Sequence, residues 1–175
     1  DEYLYSGRVG WMPFGEYKFE ESSLDRPTGP KLVLALAGLT NTVGLGASAI
    51  DVERLGYEVA FKWGGFNAQG EYFDENAENQ SNVTSDNLGY YVQAGYLFPG
   101  NKFEVAGRWE SIERDTTFNV SNLGSALKDF EGTGLGVSYY LNKHVHKIQA
   151  DWFSYEDKVT GAGLDELRVQ LQVIF

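Results

Sequence analysis

The sequence predicts an all-β fold, an antiparallel transmembrane β-barrel, on three observations. Apolar residues alternate with period two in nine successive segments, while helical spacing is confined to a short stretch from Leu123 to Phe130. One parity of those nine segments holds no charged residue, although 22% of the chain is Asp, Glu, Lys or Arg. Aromatic residues make up 15% of the chain and gather toward the two ends of the segments.

The uncharged parity reads Tyr3, Tyr5, Gly7, Val9, Trp11 in the first segment and Leu32, Leu34, Leu36, Gly38 in the second. The third gives Leu55, Tyr57, Val59, Phe61, Trp63, and the fourth Phe66, Ala68, Gly70, Tyr72. The fifth gives Leu88, Tyr90, Val92, Ala94, Tyr96, Phe98, and the sixth Phe103, Val105, Gly107, Trp109. The last three give Leu135, Val137, Tyr139, Leu141, then Ile148, Ala150, Trp152, then Leu167, Val169, Leu171, Val173, Phe175. Segment two is the weak member, because Val33, Ala35, Ala37 and Leu39 make its other parity apolar too.

The opposite parity is polar. Arg8, Arg54, Glu58, Lys62, Glu71, Glu104, Arg108, Lys147, Asp151 and Arg168 are expected to face a water-filled interior as pore-lining residues. Basic and acidic side chains interleave there, so lumen salt bridges that hold the wall compete with an ion ladder as their role. Gly56, Ala60, Gly89, Gly95, Ala106, Gly134 and Gly136 on the same parity leave room for water.

Connections alternate in length. Gly64-Gly65, Pro99-Gly100-Asn101 and Asn142-Lys143 predict tight turns. Longer polar loops are expected at Thr40 to Asp51, Asp74 to Asn87, Asp115 to Glu131 and Glu156 to Asp165. Short turns on one side and long loops on the other is the pattern of outer-membrane barrels. Gly15 to Pro30 is the exception, a long connection on the short-turn side.

A bilayer core supplies no water to backbone groups, so strands cross it only as a closed barrel. Each strand needs about 9–11 residues with an uncharged outer side, since an Arg or Lys at the midplane costs roughly 2–4 kcal/mol. Aromatics then belong at the two interfaces. Trp11, Trp63, Tyr96 and Phe175 are expected at the short-turn interface, with Phe66, Phe98, Phe103 and Tyr139; Trp109 and Trp152 are expected at the other, with Tyr57, Tyr72 and Tyr90. A soluble β-sandwich or lipocalin-like barrel that binds a lipophilic ligand is the rival, but its core would have to bury many Tyr hydroxyls.

Composition narrows the rest. The chain of 175 residues is one domain's worth, with no cysteine and a formal charge of −11. That charge argues against a nucleic-acid partner. No apolar run is long enough for a transmembrane helix, and the expectation is a mature or trimmed product without a signal peptide. Mean hydropathy of −0.34 is what averaging a lipid face and a water face would give.

Candidate chemical sites are weak. Asp74, Glu75, Asn76, Glu78 and Asn79 could offer oxygen ligands to calcium, but a solvated external loop accounts for them. His144 and His146 lack a third metal ligand. Asn79-Gln80-Ser81, Asn82-Val83-Thr84 and Asn119-Val120-Ser121 match the glycosylation sequon by accident. No arrangement for nucleophilic or acid–base catalysis stands out, and no cofactor is implied.

The terminal strand, Leu167 to Phe175, resembles the C-terminal assembly signal of bacterial outer-membrane proteins. It implies a partner in the barrel-assembly machinery and a periplasmic C-terminus. Counting back, segment one begins outside. Complete bacterial barrels have even strand numbers, so the expectation is upstream strands, a cleavage, or a first segment that is not a wall strand.

Arg8-Val9-Gly10-Trp11-Met12-Pro13-Phe14-Gly15, Leu24-Asp25-Arg26 and Gly89-Tyr90-Tyr91-Val92-Gln93-Ala94-Gly95-Tyr96 resemble the phosphate-selective porin O and P family, as do the Val145 to Tyr155 and C-terminal strands. The resemblance implies a 16-stranded barrel, of which residues 1–175 would be the C-terminal half. It also implies a homotrimer in the bacterial outer membrane, in contact with lipid bilayer and lipopolysaccharide. The implied activity is passive diffusion of small hydrophilic solutes or ions, including anions such as phosphate. Phosphate selection in that family uses rows of Arg and Lys, and the acidic residues interleaved here work against it. The alternative is a small closed outer-membrane barrel with a structural or adhesive role and no open channel.

Overall fold

The computed structural model describes residues 3–20, 22–44, 46–115, 129–143 and 145–174. Nine strands follow one another along the chain. They are β1 (Tyr5–Trp11), β2 (Lys31–Val43), β3 (Ile50–Trp63), β4 (Phe66–Asn79), β5 (Thr84–Leu97), β6 (Phe103–Arg114), β7 (Phe130–Asn142), β8 (His146–Asp157) and β9 (Gly163–Val173). They form one antiparallel sheet in which every strand pairs with its neighbours in sequence, in the order β1 to β9. The first segment is a wall strand, paired with β2 from Tyr5↔Thr40 to Trp11↔Leu34. Among the described residues β1 and β9 do not pair with each other, so the sheet is open. No helix in them is long and apolar enough to cross a membrane.

The register puts every uncharged parity on one side. Trp11 pairs with Leu34, Leu34 with Val59, Val59 with Gly70, Gly70 with Val92, and Val92 with Trp109. Further on, Val105 pairs with Val137, Val137 with Ala150, and Ala150 with Val169. Because side chains alternate with period two, a slip of one residue at any interface would have sent the next strand's charges onto this side. The one irregularity, between Tyr140 and Asn142, lies next to the β7–β8 turn and leaves the rest of both strands in phase.

These rows also climb. The row that starts at Trp63 beside the β3–β4 turn reaches Val169 well inside the end of β9. Strand ends therefore stagger steadily across the sheet, the offset that tilted barrel strands require.

Exposure separates the two sides in the opposite sense to a soluble protein. Val169 is 73% exposed on the apolar side, and Trp11, Leu36, Tyr57, Trp63 and Val92 are exposed with it. On the polar side Lys62, Asn67, Glu104 and Lys147 are buried. Side chains that converge shield one another and those that diverge do not, so the sheet curls with its polar face inside. Rings make two girdles on the apolar face. Tyr57, Tyr72, Tyr90 and Trp109 touch in succession, at centroid distances of 6.0, 6.5 and 5.1 Å. Near the turns Tyr96, Phe98 and Phe103 do the same at 5.2 and 5.5 Å.

The turns and loops divide differently. The tight turns stand where Gly64-Gly65, Pro99-Gly100-Asn101 and Asn142-Lys143 predict them. Gly65 has a specific reason to be glycine: a Cβ there would collide with the Leu97 carbonyl and lie 3.0 Å from the Arg26 guanidinium. Three expected loops prove to be hairpins. Thr40 to Asp51 shortens to residues 44–49 with a 3₁₀ turn at Gly46–Ser48, and Asp74 to Asn87 shortens to residues 80–83. Ladder pairing runs on past the apolar band, through Asn76↔Asp86 and Glu78↔Thr84, where both faces are polar and the alternation that betrays a strand is lost. Glu156 to Asp165 shortens likewise, to residues 158–162. Residues 116–128 of the expected Asp115 to Glu131 loop lie outside the described residues, with most of the Leu123 to Phe130 stretch and the Asn119 sequon; Phe130 itself opens β7.

Arginine in place of Val92, Val137 or Val169 should lower stability in a bilayer by about 2–4 kcal/mol. Gln170→Arg, next to Val169 on the other face, should change it little. Urea unfolding from phospholipid vesicles, followed by heat-modifiable gel mobility, measures both. Equal losses on the two faces would mean that the apolar parity packs against protein.

Candidate channel lining

All ten residues expected to line a pore share the polar face. One row joins Arg8, Ala37, Gly56, Phe73, Gly89 and Ile112; another joins Glu58, Glu71, Tyr91 and Glu110; a third joins Lys62, Asn67, Gly95, Ala106, Gly136, Asp151 and Arg168. Arg54, Glu104, Arg108 and Lys147 belong to the same parity. The expected interface residues Trp11, Trp63, Tyr96, Trp109 and Trp152 are exposed on the apolar face, whereas Phe175 lies outside the described residues.

The basic side chains of this face have partners. Arg8 donates to Glu58 at 2.5 Å, Arg54 to Glu75, and Arg108 to Glu110 at 2.5 Å and to Gln93 at 3.2 Å. Arg108 also lies 3.9 Å over the Tyr91 ring, while the Tyr91 hydroxyl donates to Glu71 at 2.6 Å. Arg168 pairs with Glu166 at 3.2 Å, both half exposed. Exposed pairs of this kind add roughly 0–1 kcal/mol each, so their main effect is to neutralise charge. Other carboxylates meet neutral donors: Glu104 accepts from Asn67 at 3.0 Å and from the Tyr140 hydroxyl at 2.5 Å, and Asp151 accepts from Gln149. A hollow of about 310 Å³ opens between them, lined by Gln93, Arg108, Gln149, Asp151, Phe153 and Arg168 among others.

The long connection between β1 and β2 is the least expected feature. Its described residues, 12–20 and 22–30, fold inward over the polar face at the short-turn end. Tyr17 is buried against Val33 and Ala60, with Met12 beside them. Lys62 is 1% exposed because this segment covers it: its ammonium donates to the carbonyls of Lys18 at 2.9 Å and Ser22 at 3.1 Å and lies 5.2 Å from the Tyr17 ring. A buried ammonium needs such partners, since an unpaired one costs several kcal/mol. Ser23 donates to the Gly64 carbonyl at 2.8 Å, and Arg26 reaches the β5–β6 turn, donating to Leu97 and Phe98 carbonyls and to Asn101 Oδ1. Burial, with Glu58 and Asp25 nearby, pushes the Tyr17 phenol up to about 12, so it stays neutral at physiological pH.

Three other candidates resolve simply. Asp74 to Asn79 lie on a strand rather than a loop, so successive side chains diverge, and the Asn79 carboxamide is used by the N–H groups of Ser81 and Val83. No cluster of three metal-ligating residues occurs among the described residues. His146 opens β8, and His144 lies outside the described residues.

The reading of the residues overlooked the polar-face aromatics Tyr91, Tyr140, Phe153 and Tyr155, and the inward segment with Tyr17, Ser22, Ser23 and Arg26. Parity could have found the aromatics, since each sits opposite to the ring girdles. The segment has no period to betray it.

Lys62→Met combined with Arg26→Ala should loosen the inward segment. Each hydrogen bond from a charged group contributes about 1.5–3 kcal/mol, and the pair holds most of the segment's polar anchors. Limited proteolysis with mass readout should show new cleavage between residues 15 and 27 while the strands keep their folded gel mobility. Unchanged protection would mean that apolar packing of Tyr17 alone holds the segment.

Residues 37–175 match the model of a known protein family. No curated protein and no solved structure matches the chain. The family carries the description phosphate-selective porin O and P, and the match covers most of the chain, so the chain belongs to that family.

Proposed function

We propose that the chain forms wall of an outer-membrane porin, and that its polar face lines a water-filled path for passive diffusion of small hydrophilic solutes. The observation that carries this reading is the inverted sidedness: continuous exposed hydrocarbon and aromatic girdles outside, hydrogen-bonded charge inside. Trp11, Trp63, Tyr96, Trp109 and Trp152 then sit at the two interfaces, the long-loop end faces the lipopolysaccharide leaflet, and the C-terminal strand addresses the assembly machinery. The nine strands are the C-terminal part of a larger closed barrel, 16-stranded and trimeric as the family implies.

Phosphate is a poor fit for this part of the wall. Attraction of an anion along a pore needs cations whose charge is not already neutralised. Here Arg8, Arg54, Arg108 and Arg168 are each in an ion pair, Lys62 is covered, and the chain as a whole carries −11. The path therefore has a weak preference for cations and neutral solutes. The inward segment supports a second reading, a plugged barrel with a structural or adhesive role.

Planar-bilayer recording of the native protein tests these statements together. Ohmic single-channel steps are expected, with a reversal potential in a KCl gradient that takes the cation-selective sign and a chloride current indifferent to added phosphate. A silent bilayer would favour the plugged barrel. Block of the current by micromolar phosphate would restore the family's selectivity.

A further inference from the structure

We infer that the polar face of β7 and β8 carries a binding track for the apolar faces of sugar rings; the inference rests on the polar face being the channel lining. Phe153 and Tyr155 are on the inward parity of β8, and Phe130 stands beside them at the start of β7. The Phe153 and Tyr155 rings are parallel within 4°, with centroids 5.8 Å apart, and Phe130 meets Tyr155 edge-on at 5.7 Å. They make a strip that leads from the long-loop end down to the hollow, whose wall includes Phe153.

The wall is shaped to receive these rings. The residues across from Tyr155 and Phe153 are Gly132 and Gly134. A Cβ at 132 would lie 2.7 Å from the Tyr155 ring, and one at 134 would collide with Phe153. Both rings therefore settle against the backbone of β7 instead of standing out into the opening. Filling glycine gaps is a structural role, and it accounts for the side of each ring that meets the wall. Phe153 and Tyr155 stay partly exposed.

The surroundings select the ligand class. Beside the rings lie Gln93, Arg108 and Glu110 on one flank and Gln149 and Asp151 on the other, while the Arg168 guanidinium lies over the Phe153 ring, 4.7 Å from its centroid. A pyranose presents C–H groups from its ring face and hydroxyls from its edge. The first pack on aromatic carbon, and the second need the amides, carboxylates and guanidinium groups that rim this strip. Inorganic phosphate and metal ions have no apolar face to place on the rings. A flat aromatic solute would use the rings and leave the rim unmatched.

Calorimetric titration of maltotriose into the native protein in detergent tests the track without requiring conduction. Saturable binding is expected. Phe153→Ala with Tyr155→Ala should weaken it by about tenfold or more, and Phe153→Trp should retain it. Phe153→Leu fills the same seat without an aromatic face and should also weaken binding, which covers a double variant that does not fold. In a bilayer the same sugar should interrupt the ion current. No saturable heat, unchanged affinity in the variants, or binding of phenol in preference to maltotriose would overturn the track. A conducting channel without sugar binding removes the track alone; sugar binding by a protein silent in the bilayer removes the channel reading alone.

Discussion

The structure depends on one constraint, the locking of side-chain parity by the antiparallel ladder. Backbone pairing by itself is indifferent to which face carries charge. Eight consecutive interfaces nevertheless agree on it, so that Leu34, Val59, Val92, Val137 and Val169 share one side with no Arg, Lys, Asp or Glu among their paired neighbours within the apolar band. The steady stagger of the rows follows from the same ladder. A sheet with this offset curls, and curling decides which side converges. Burial of Glu104 and exposure of Val169 are consequences of that curl, given the sequence.

This constraint made the fold legible. Strand periodicity is two, with no tolerance, so an uncharged parity could be read directly from Tyr57-Glu58-Val59-Ala60-Phe61 or Val169-Gln170-Leu171. Strand ends were not legible, because at Asp74 to Asn79 and Thr84 to Asn87 neither parity is continuously apolar and ladder pairing continues without any hydropathy signal. Part of the polar face was legible too. The charged members stood out on their parity, while Tyr91, Tyr140, Phe153 and Tyr155 were obscured by the far more numerous aromatics of the girdles. The inward segment was beyond reach: Lys62 looks like a solvated lysine until the carbonyls of Lys18 and Ser22 are found over it.

Polar burial on the inside is handled locally. Glu104, with Asn67 and Tyr140 as donors, and Glu71, with Gln69 and Tyr91, each accept hydrogen bonds from neutral donors. Hydrogen bonds to a charged acceptor are worth roughly twice neutral ones, so these clusters can hold neighbouring strands in register where hydrocarbon cannot be used. Arg108 does the same across β5 and β6, bonded to Glu110 and Gln93 while stacked on Tyr91. In a wall built this way, charge serves cohesion first, and the field left for a passing ion is what remains after pairing.

The two ends of the polar face are therefore unlike. At the short-turn end the described residues between β1 and β2 cover Lys62 and bury Tyr17, Ser22 and Ser23, which removes space and fixes charge. Toward the long-loop end, no such segment covers β7 and β8 among the described residues, and Phe153 and Tyr155 present ring surface beside paired ions. A solute entering from the long-loop side would meet the aromatic strip before the narrowing, where dehydration is least advanced and weak contacts with ring faces and hydroxyls can be made without stripping the solute of water. A charged solute gains little from such a strip, because the ion pairs beside it are already satisfied. On the proposed channel reading, the order of the two features along the path, rings first and covered lysine second, would favour neutral hydrophilic solutes through the same parity that builds the wall.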